Sequence, residues 1–106
     1  MNDHTDIKDK NITIIGLGNS GLESAKLANF LGARVFASDS SNNISINDNA
    51  FTLMENEHIP IETGKHSNRI YDADLWVISP GVKKTSNIIK IAQKKGIQIY
   101  SELEFA

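Results

Sequence analysis

The chain has 106 residues, enough for one domain and too few for two. Its composition, 40% hydrophobic and 23% charged, is typical of a globular protein. A formal charge of −2 predicts no nucleic-acid partner, and the absence of cysteine excludes disulfides, thiol catalysis and cysteine-based metal sites. The sequence has neither an apolar run of about 18 residues nor an apolar leader, so we predict no membrane association and a cytoplasmic location.

Residues 1–10 are polar, and we predict that they form a flexible lead-in to a single domain of residues 11–106. Strand and helix patterns alternate along this domain, which predicts an α/β fold with a doubly wound, mainly parallel, five-stranded Rossmann-like sheet and helices on both faces. The predicted strands are residues 11–15, 33–39, 60–63, 73–78 and 97–100, and the predicted helices are residues 20–31, 47–57 and 86–95.

Helical spacing also predicts which side chains face the sheet. In the second helix these are Ala50, Leu53 and Met54. The third helix contributes Ile88, Ile91 and Ala92, with Ile89 as a further candidate. Residues 40–45 are rich in turn formers, so we predict a loop between the second strand and the second helix. Ser101 to Glu104 has the S-x-x-E pattern of a capping box, which predicts that a further helix begins there.

The first strand runs directly into a glycine turn, Gly16-Leu-Gly18-Asn19-Ser20-Gly21, and a helix follows. Unpaired backbone N–H groups at the start of a helix, together with the helix dipole, attract anions. Glycines allow an anion to approach the backbone closely. We therefore predict a phosphate site at Gly18, Asn19, Ser20 and Gly21. The alternative is a tight turn that is needed only for packing.

Two further strand ends carry candidate ligand contacts. Asp39 closes the second strand, where its carboxylate can accept hydrogen bonds from a ribose diol or from an N–H group of a base. The alternative role for Asp39 is to cap the loop that begins at Ser40. The segment Ser79-Pro80-Gly81 ends a strand predicted to lie beside the first one. Pro80 stiffens this exit and Gly81 leaves room for a flat ring, although a simple turn explains both residues equally well.

No catalytic constellation is visible in the sequence. A nucleophile paired with a base, a G-x-x-x-x-G-K-[ST] loop and a carboxylate cluster for Mg²⁺ are all missing. His4, His58 and His66 do not have the spacing of metal ligands. We therefore predict a domain that binds a ligand, holds no metal and performs no chemistry alone.

Four segments in register resemble the N-terminal domain of the Mur ligases, from about Asn11 to Ala106. They are IIGLGNSGL from residue 14, ARVFASDS from residue 33, ADLWVISPGV from residue 73 and GIQIYSELE from residue 96. The ending SELEFA favours the D-glutamate-adding branch. The turn Gly64–Ser67 is similar to the corresponding turn of the L-alanine-adding branch, and Ser41 stands where some members have a basic residue.

The resemblance implies a function for the whole ligase. Its first domain would hold the UDP end of UDP-N-acetylmuramoyl-L-alanine, and missing central and C-terminal domains would bind ATP with Mg²⁺ and receive D-glutamate. This domain itself would bind no cofactor. By the same resemblance, Asn19, Ser20 and Gly21 would face the diphosphate. Asp39 and Ser40 would contact the uracil, and Ser79 and Gly81 would wall its pocket.

Two other classes of protein share the glycine turn and the terminal acid. One is a regulatory module for NAD or ATP of the kind that gates potassium transport, and the other is the cofactor domain of a truncated dehydrogenase. Both alternatives place Asp39 on an adenosine ribose, whereas the ligase hypothesis places it on a uracil N–H.

Overall fold

A computed structural model describes residues 7–83 and 85–105 and confirms the α/β prediction. The predicted lead-in therefore falls largely outside the described residues, as does His4. The strands are β1 (Asn11–Ile15), β2 (Arg34–Asp39), β3 (Ile61–Thr63), β4 (Leu75–Ile78) and β5 (Gln98–Ser101). The helices are α1 (Asn19–Phe30), α2 (Ile44–Glu57), α3 (Asn87–Lys94) and α4 (Glu102–Phe105), with a 3₁₀ helix at Asn68–Tyr71.

The sheet is parallel throughout, with the strand order β3-β2-β1-β4-β5. The chain moves outward from β1 through β2 to β3 and then returns to the other side of β1 with β4. This reversal places the topological switch point at the carboxyl ends of β1 and β4, which is where open α/β sheets bind their ligands. The loops after β1, β2 and β4 all leave the sheet at this carboxyl end, which we call the carboxyl edge.

Each face of the sheet is covered by its own apolar cluster, so the strands are nearly continuous apolar runs. Along β4, Leu75 and Val77 point to one face and Trp76 points to the other. The larger cluster contains buried side chains of α1, α2 and α4, and the smaller contains those of α3 and the 3₁₀ helix. Ile7 is fully buried in the larger cluster, so the packed region begins before β1.

The second helix begins three residues earlier than predicted. Asn43 is its N-cap, and the Asn43 side chain accepts a hydrogen bond from the Ile46 N–H at 2.9 Å. Asparagine favours both turns and N-caps, which is why the segment before Asn47 was predicted to be a loop.

Within the described residues, no helix is both long and apolar enough to cross a membrane.

The prediction that a side chain faces the sheet is wrong for two residues, Met54 and Ile91. Met54 is 51% exposed, because it lies at the rim of the stripe formed by buried Ala50 and Leu53. Ile91 is 39% exposed, whereas Ile89 and Ala92 are buried. On an eight-residue helix, Ile91 is rotated by about 200° from Ile89, so the two cannot face the sheet together.

Replacing Trp76 with Phe should lower the free energy of unfolding by about 2–4 kcal/mol. The indole is fully buried and its Nε1–H donates to the Ile70 carbonyl at 2.7 Å, so the variant leaves both a cavity and an unpaired carbonyl. Urea denaturation followed by far-UV circular dichroism measures the change. Phe51→Ala is the control, since Phe51 is 63% exposed and should change stability by less than about 1 kcal/mol. Equal stability of Trp76→Phe and the parent would contradict this account.

Candidate phosphate-binding site

The structure brings together the three predicted loops at the carboxyl edge of the sheet. The Gly16 N–H donates to the Ser38 carbonyl at 2.8 Å, which ties the glycine turn to the end of β2. On the other side, the Ser79 N–H donates to the Ile15 carbonyl at 2.9 Å. The candidate residues after β1, β2 and β4 therefore lie at the same end of the sheet.

Leu17 fixes the glycine turn from three directions. Its side chain is fully buried, its N–H donates to Asp39 Oδ2 at 2.7 Å, and its carbonyl accepts from Asn49 Nδ2 at 2.7 Å. Asn49 could not be recognised from the sequence, because this contact spans 32 residues and no motif marks it. The turn is therefore held in one conformation before any ligand arrives.

The three glycines of the turn differ in whether the surrounding structure leaves room for a side chain. Gly16 has φ +106°, and a Cβ there would lie 2.5 Å from the Ser79 Cβ. At Gly21 a Cβ would lie 1.9 Å from the Gly16 carbonyl oxygen, so α1 can cross the strand end only without a side chain. At Gly18, by contrast, a Cβ would meet no heavy atom within 4 Å. Packing thus requires Gly16 and Gly21, while the space in front of Gly18 is open to a ligand.

The amino end of α1 is accessible at this open space. Gly18 occupies the N-cap position and has no side chain with which to cap the helix. Gly18, Asn19 and Ser20 are all exposed, and the first turn carries no acidic residue. Backbone N–H groups and the positive end of the helix dipole therefore face solvent, which is the arrangement that attracts phosphate.

Asp39 is already hydrogen bonded within the chain. Its Oδ1 accepts from the Ser41 N–H at 2.8 Å, which is the loop-capping role that the sequence left open. Its Oδ2 accepts from Leu17, so Asp39 joins the loops after β1 and β2. A carboxylate group has about four acceptor positions, and these two bonds use two of them. The neighbouring Ser40 is exposed.

A groove of about 910 Å³ extends from the glycine turn along α1. It is mostly apolar and includes three of the predicted site residues, Ser20, Ser79 and Pro80. The other six are not part of its wall, namely Gly18, Asn19, Gly21, Asp39, Ser40 and Gly81. Glu102 also lines it, is only 8% exposed, and was not identified from the sequence. Burial raises the pKa of the Glu102 carboxyl, and a hydrogen bond with the Ser20 hydroxyl partly opposes that effect.

A second polar cluster lies beside Asp39 and was also missed, because its members come from separate segments. Ser38 Oγ lies 2.8 Å from Glu62 Oε2 and 2.7 Å from His66 Nδ1. The combination resembles a Ser–His–acid triad, but Ser38 is fully buried and cannot reach a substrate. Nor does any group of three carboxylate or imidazole side chains within the described ranges have a geometry suited to a metal ion.

Burial and nearby charges shift the pKa values of this cluster. Burial lowers the pKa of His66, although the charges of Asp39 and Glu62 partly oppose that shift. Burial raises the pKa of Glu62, but hydrogen bonds from Ser67 and Ser38 and the charge of His66 together outweigh burial and bring it below its ordinary value. At neutral pH, Glu62 is therefore ionised and His66 is mostly neutral.

The sequence matches one protein family over most of its length. The family model described as Mur ligase MurD-like, N-terminal domain, matches residues 10–101. The chain is 39% identical over 106 aligned residues to the UDP-N-acetylmuramoylalanine–D-glutamate ligase of Chloroherpeton thalassium, covering 97% of this chain and 22% of that protein. It is 37% identical to the Koribacter versatilis ligase of the same name, covering 95% of this chain and 22% of that protein. The chain thus spans about a fifth of the length of these relatives.

Solved structures show the same fold in proteins of other function. The L-tryptophan dehydrogenase of Nostoc punctiforme superposes with a TM-score of 0.64 at 15% sequence identity, covering 89% of this chain and 26% of that chain. At this identity the likeness concerns the fold alone.

Alanine substitutions should separate the roles of Gly18 and Gly21. Gly21→Ala should lower the free energy of unfolding by at least about 2 kcal/mol, because backbone atoms on both sides prevent relief of the clash. Gly18→Ala should cost less than about 1 kcal/mol, the difference between glycine and alanine at an N-cap. Urea denaturation of both variants checks this prediction. A larger loss for Gly18→Ala than for Gly21→Ala would contradict the assignment.

Stability should decrease as the pH falls below about 6.5, the ordinary pKa of histidine. Because the pKa of His66 is lowered in the folded state, the unfolded chain takes up the proton first and is favoured in acid. The contribution is fully present above pH 6.5 and is lost as the pH falls from there towards the folded-state pKa of His66. Urea denaturation between pH 7.5 and 5.5 measures the loss. His66→Asn should show a smaller slope, and an identical slope would exclude His66 as its source.

Proposed function

The chain belongs to the Mur ligase family, as a MurD-like N-terminal domain, and from this premise we propose that it binds the UDP end of UDP-N-acetylmuramoyl-L-alanine. The observation that chiefly supports the proposal is the exposed amino end of α1 at Gly18, with open space in front of it. Such a site suits a diphosphate, because phosphate oxygens accept the free N–H groups of the first helical turn. The chain's net charge of −2 means that local geometry, not long-range attraction, holds the anion.

In this arrangement the diphosphate lies against Gly18, Asn19, Ser20 and Gly21. The exposed Asn19 side chain adds donors to those of the backbone. The Ser20 hydroxyl has one donor, which hydrogen bonds with Glu102 in the free domain, so it would exchange that bond for one to the diphosphate.

The uracil lies between the loops that follow β2 and β4. Asp39 uses a remaining acceptor position for the N–H of the base, and Ser40 contributes a second polar group. Across from them, the exposed Pro80 and Gly81 and the half-buried Ser79 form the wall along the ring. In this proposal the polar edge of the base faces Asp39 and Ser40, and the ring itself contacts the segment Ser79–Gly81.

Family membership favours this proposal over NAD- or ATP-binding modules and truncated dehydrogenases. Those proteins share the sheet and the glycine turn, which explains why fold similarity alone does not separate them. Within the family, both curated ligases described above are named for D-glutamate, which favours the D-glutamate-adding branch over the L-alanine-adding one.

We propose further that residues 11–106 form the first domain of a longer cytoplasmic ligase. Because the chain covers about a fifth of its relatives, the central and C-terminal domains would supply the sites for ATP, Mg²⁺ and D-glutamate. The complete enzyme would form the amide bond with release of ADP. This chain alone would bind the precursor without joining it to an amino acid.

Isothermal titration calorimetry of the 106-residue chain tests the ligand class. UDP, UDP-N-acetylmuramic acid and UDP-N-acetylmuramoyl-L-alanine should each bind more tightly than NAD or ATP. Gly18→Ala should weaken UDP binding at least about tenfold, or about 1.4 kcal/mol, because its methyl group enters the phosphate space while leaving the fold intact. Tighter binding of NAD than of the UDP ligands would overturn the proposal.

A further inference from the structure

The turn that follows β3, residues 64–67, is hydrogen bonded to the end of β2 and to the loop after it. The Gly64 N–H donates to the Ser41 carbonyl at 3.1 Å. His66 Nδ1 lies 2.7 Å from Ser38 Oγ, and Ser38 directly precedes Asp39. Since Asp39 in turn accepts from the Ser41 N–H, both backbone groups of Ser41 are held.

The acceptors in this cluster determine where its protons lie. Glu62 Oε2 accepts from the Ser67 N–H at 2.8 Å and lies 2.8 Å from Ser38 Oγ. An ionised carboxylate has only acceptor positions, so the single hydroxyl proton of Ser38 is donated to Glu62. His66 Nδ1 must then donate to Ser38 Oγ, because no proton is left on that oxygen. His66 is therefore either the Nδ1–H tautomer or an imidazolium.

We propose that His66 is a positioning residue that holds the loop Asp39–Asn42 in the shape that binds the nucleotide. This inference rests on the proposed UDP site. His66 acts through Ser38, which sets the direction of the chain at Asp39, and through its own turn, whose Gly64 holds Ser41. With the loop fixed, the Asp39 carboxylate is oriented before the ligand arrives, so binding does not have to order it.

Protonation of His66 alters the charge around this loop. Asp39 on β2 and Glu62 on β3 are the acids that interact with His66. Lys65 precedes it in the same turn, and the Arg69 guanidinium of the 3₁₀ helix lies 4.4 Å above the centre of the Phe36 ring. An imidazolium beside Asp39 attracts its carboxylate and weakens it as an acceptor for a base N–H. The affinity for UDP-N-acetylmuramic acid, whose diphosphate does not titrate in this range, should therefore fall as the pH falls from 7.5 to 5.5.

Two substitutions at His66 separate its hydrogen bond from its titration. His66→Asn places an amide donor near the Nδ1 position and removes the ionisable group, whereas His66→Ala removes both. His58→Asn is the matched control, because His58 is exposed and has φ 57°, a left-handed conformation that asparagine tolerates.

Two measurements on the 106-residue chain test the proposal. Hydrogen exchange of the Ser41 and Gly64 amides, recorded by NMR without ligand, reports the loop. Calorimetry at pH 5.5 and 7.5 reports binding, with UDP-N-acetylmuramic acid as the ligand, because its diphosphate is esterified at both ends and does not titrate in this range, unlike the terminal phosphate of UDP. His66→Ala should accelerate both amides and weaken binding of this ligand about tenfold at pH 7.5. His66→Asn should retain slow exchange and make the affinity independent of pH over this range, and His58→Asn should match the parent chain in both measurements.

The outcomes that contradict the proposal differ from those that contradict the UDP site. Unchanged exchange and unchanged affinity for UDP-N-acetylmuramic acid in His66→Ala would overturn the role of His66. If His66→Ala fails to fold, a parent-like pH dependence of that affinity in His66→Asn would overturn it. Faster exchange in His66→Ala, in a chain whose parent form does not bind UDP, would support the loop role and contradict the UDP site.

Discussion

The conformation of the glycine turn depends on how the peptide groups of Leu17 are held. The Asp39 carboxylate accepts a hydrogen bond from the Leu17 N–H, and the Asn49 amide donates one to the Leu17 carbonyl. Residues of β2 and α2 therefore both hold Leu17 in place. Because the Leu17 side chain is also buried, the turn cannot shift without breaking both hydrogen bonds and exposing apolar surface. The position of α1, and with it the direction of its exposed N–H groups, follows from this anchor.

The sequence predicted β1, β2 and β4 well because each contains a short β-branched or apolar run that is followed by glycine, proline or a polar cluster. It was less reliable where one residue type serves two roles. Asn43 marks a helix start here, although the same residue type is common in turns. Met54 and Ile91 fit an apolar pattern but lie beyond the part of each helix that meets the sheet, and only packing determines how wide that part is.

The candidate site shows a similar division. Loops that follow parallel strands must meet at one edge, so the convergence of three predicted segments was accessible from the sequence. The side chains that support those loops were not, because each contact joins distant positions. Ser38 and His66 are 28 residues apart, and Asn49 reaches Leu17 across 32. Motif spacing in a sequence therefore indicates candidate ligand-contacting residues better than it indicates the residues that hold them in place.

The burial of Trp76 on the face of the sheet that packs against α3 has a spectroscopic consequence. Its indole is enclosed by the smaller core cluster and bonded to the Ile70 carbonyl, away from the open edge of the sheet. Its fluorescence should therefore report global unfolding while remaining insensitive to whether the edge is occupied. In a thermal melt followed by tryptophan emission, a bound ligand would then raise the midpoint temperature of unfolding without itself changing the emission of the folded state. The single tryptophan thus serves as an intrinsic reporter of linkage between binding and folding.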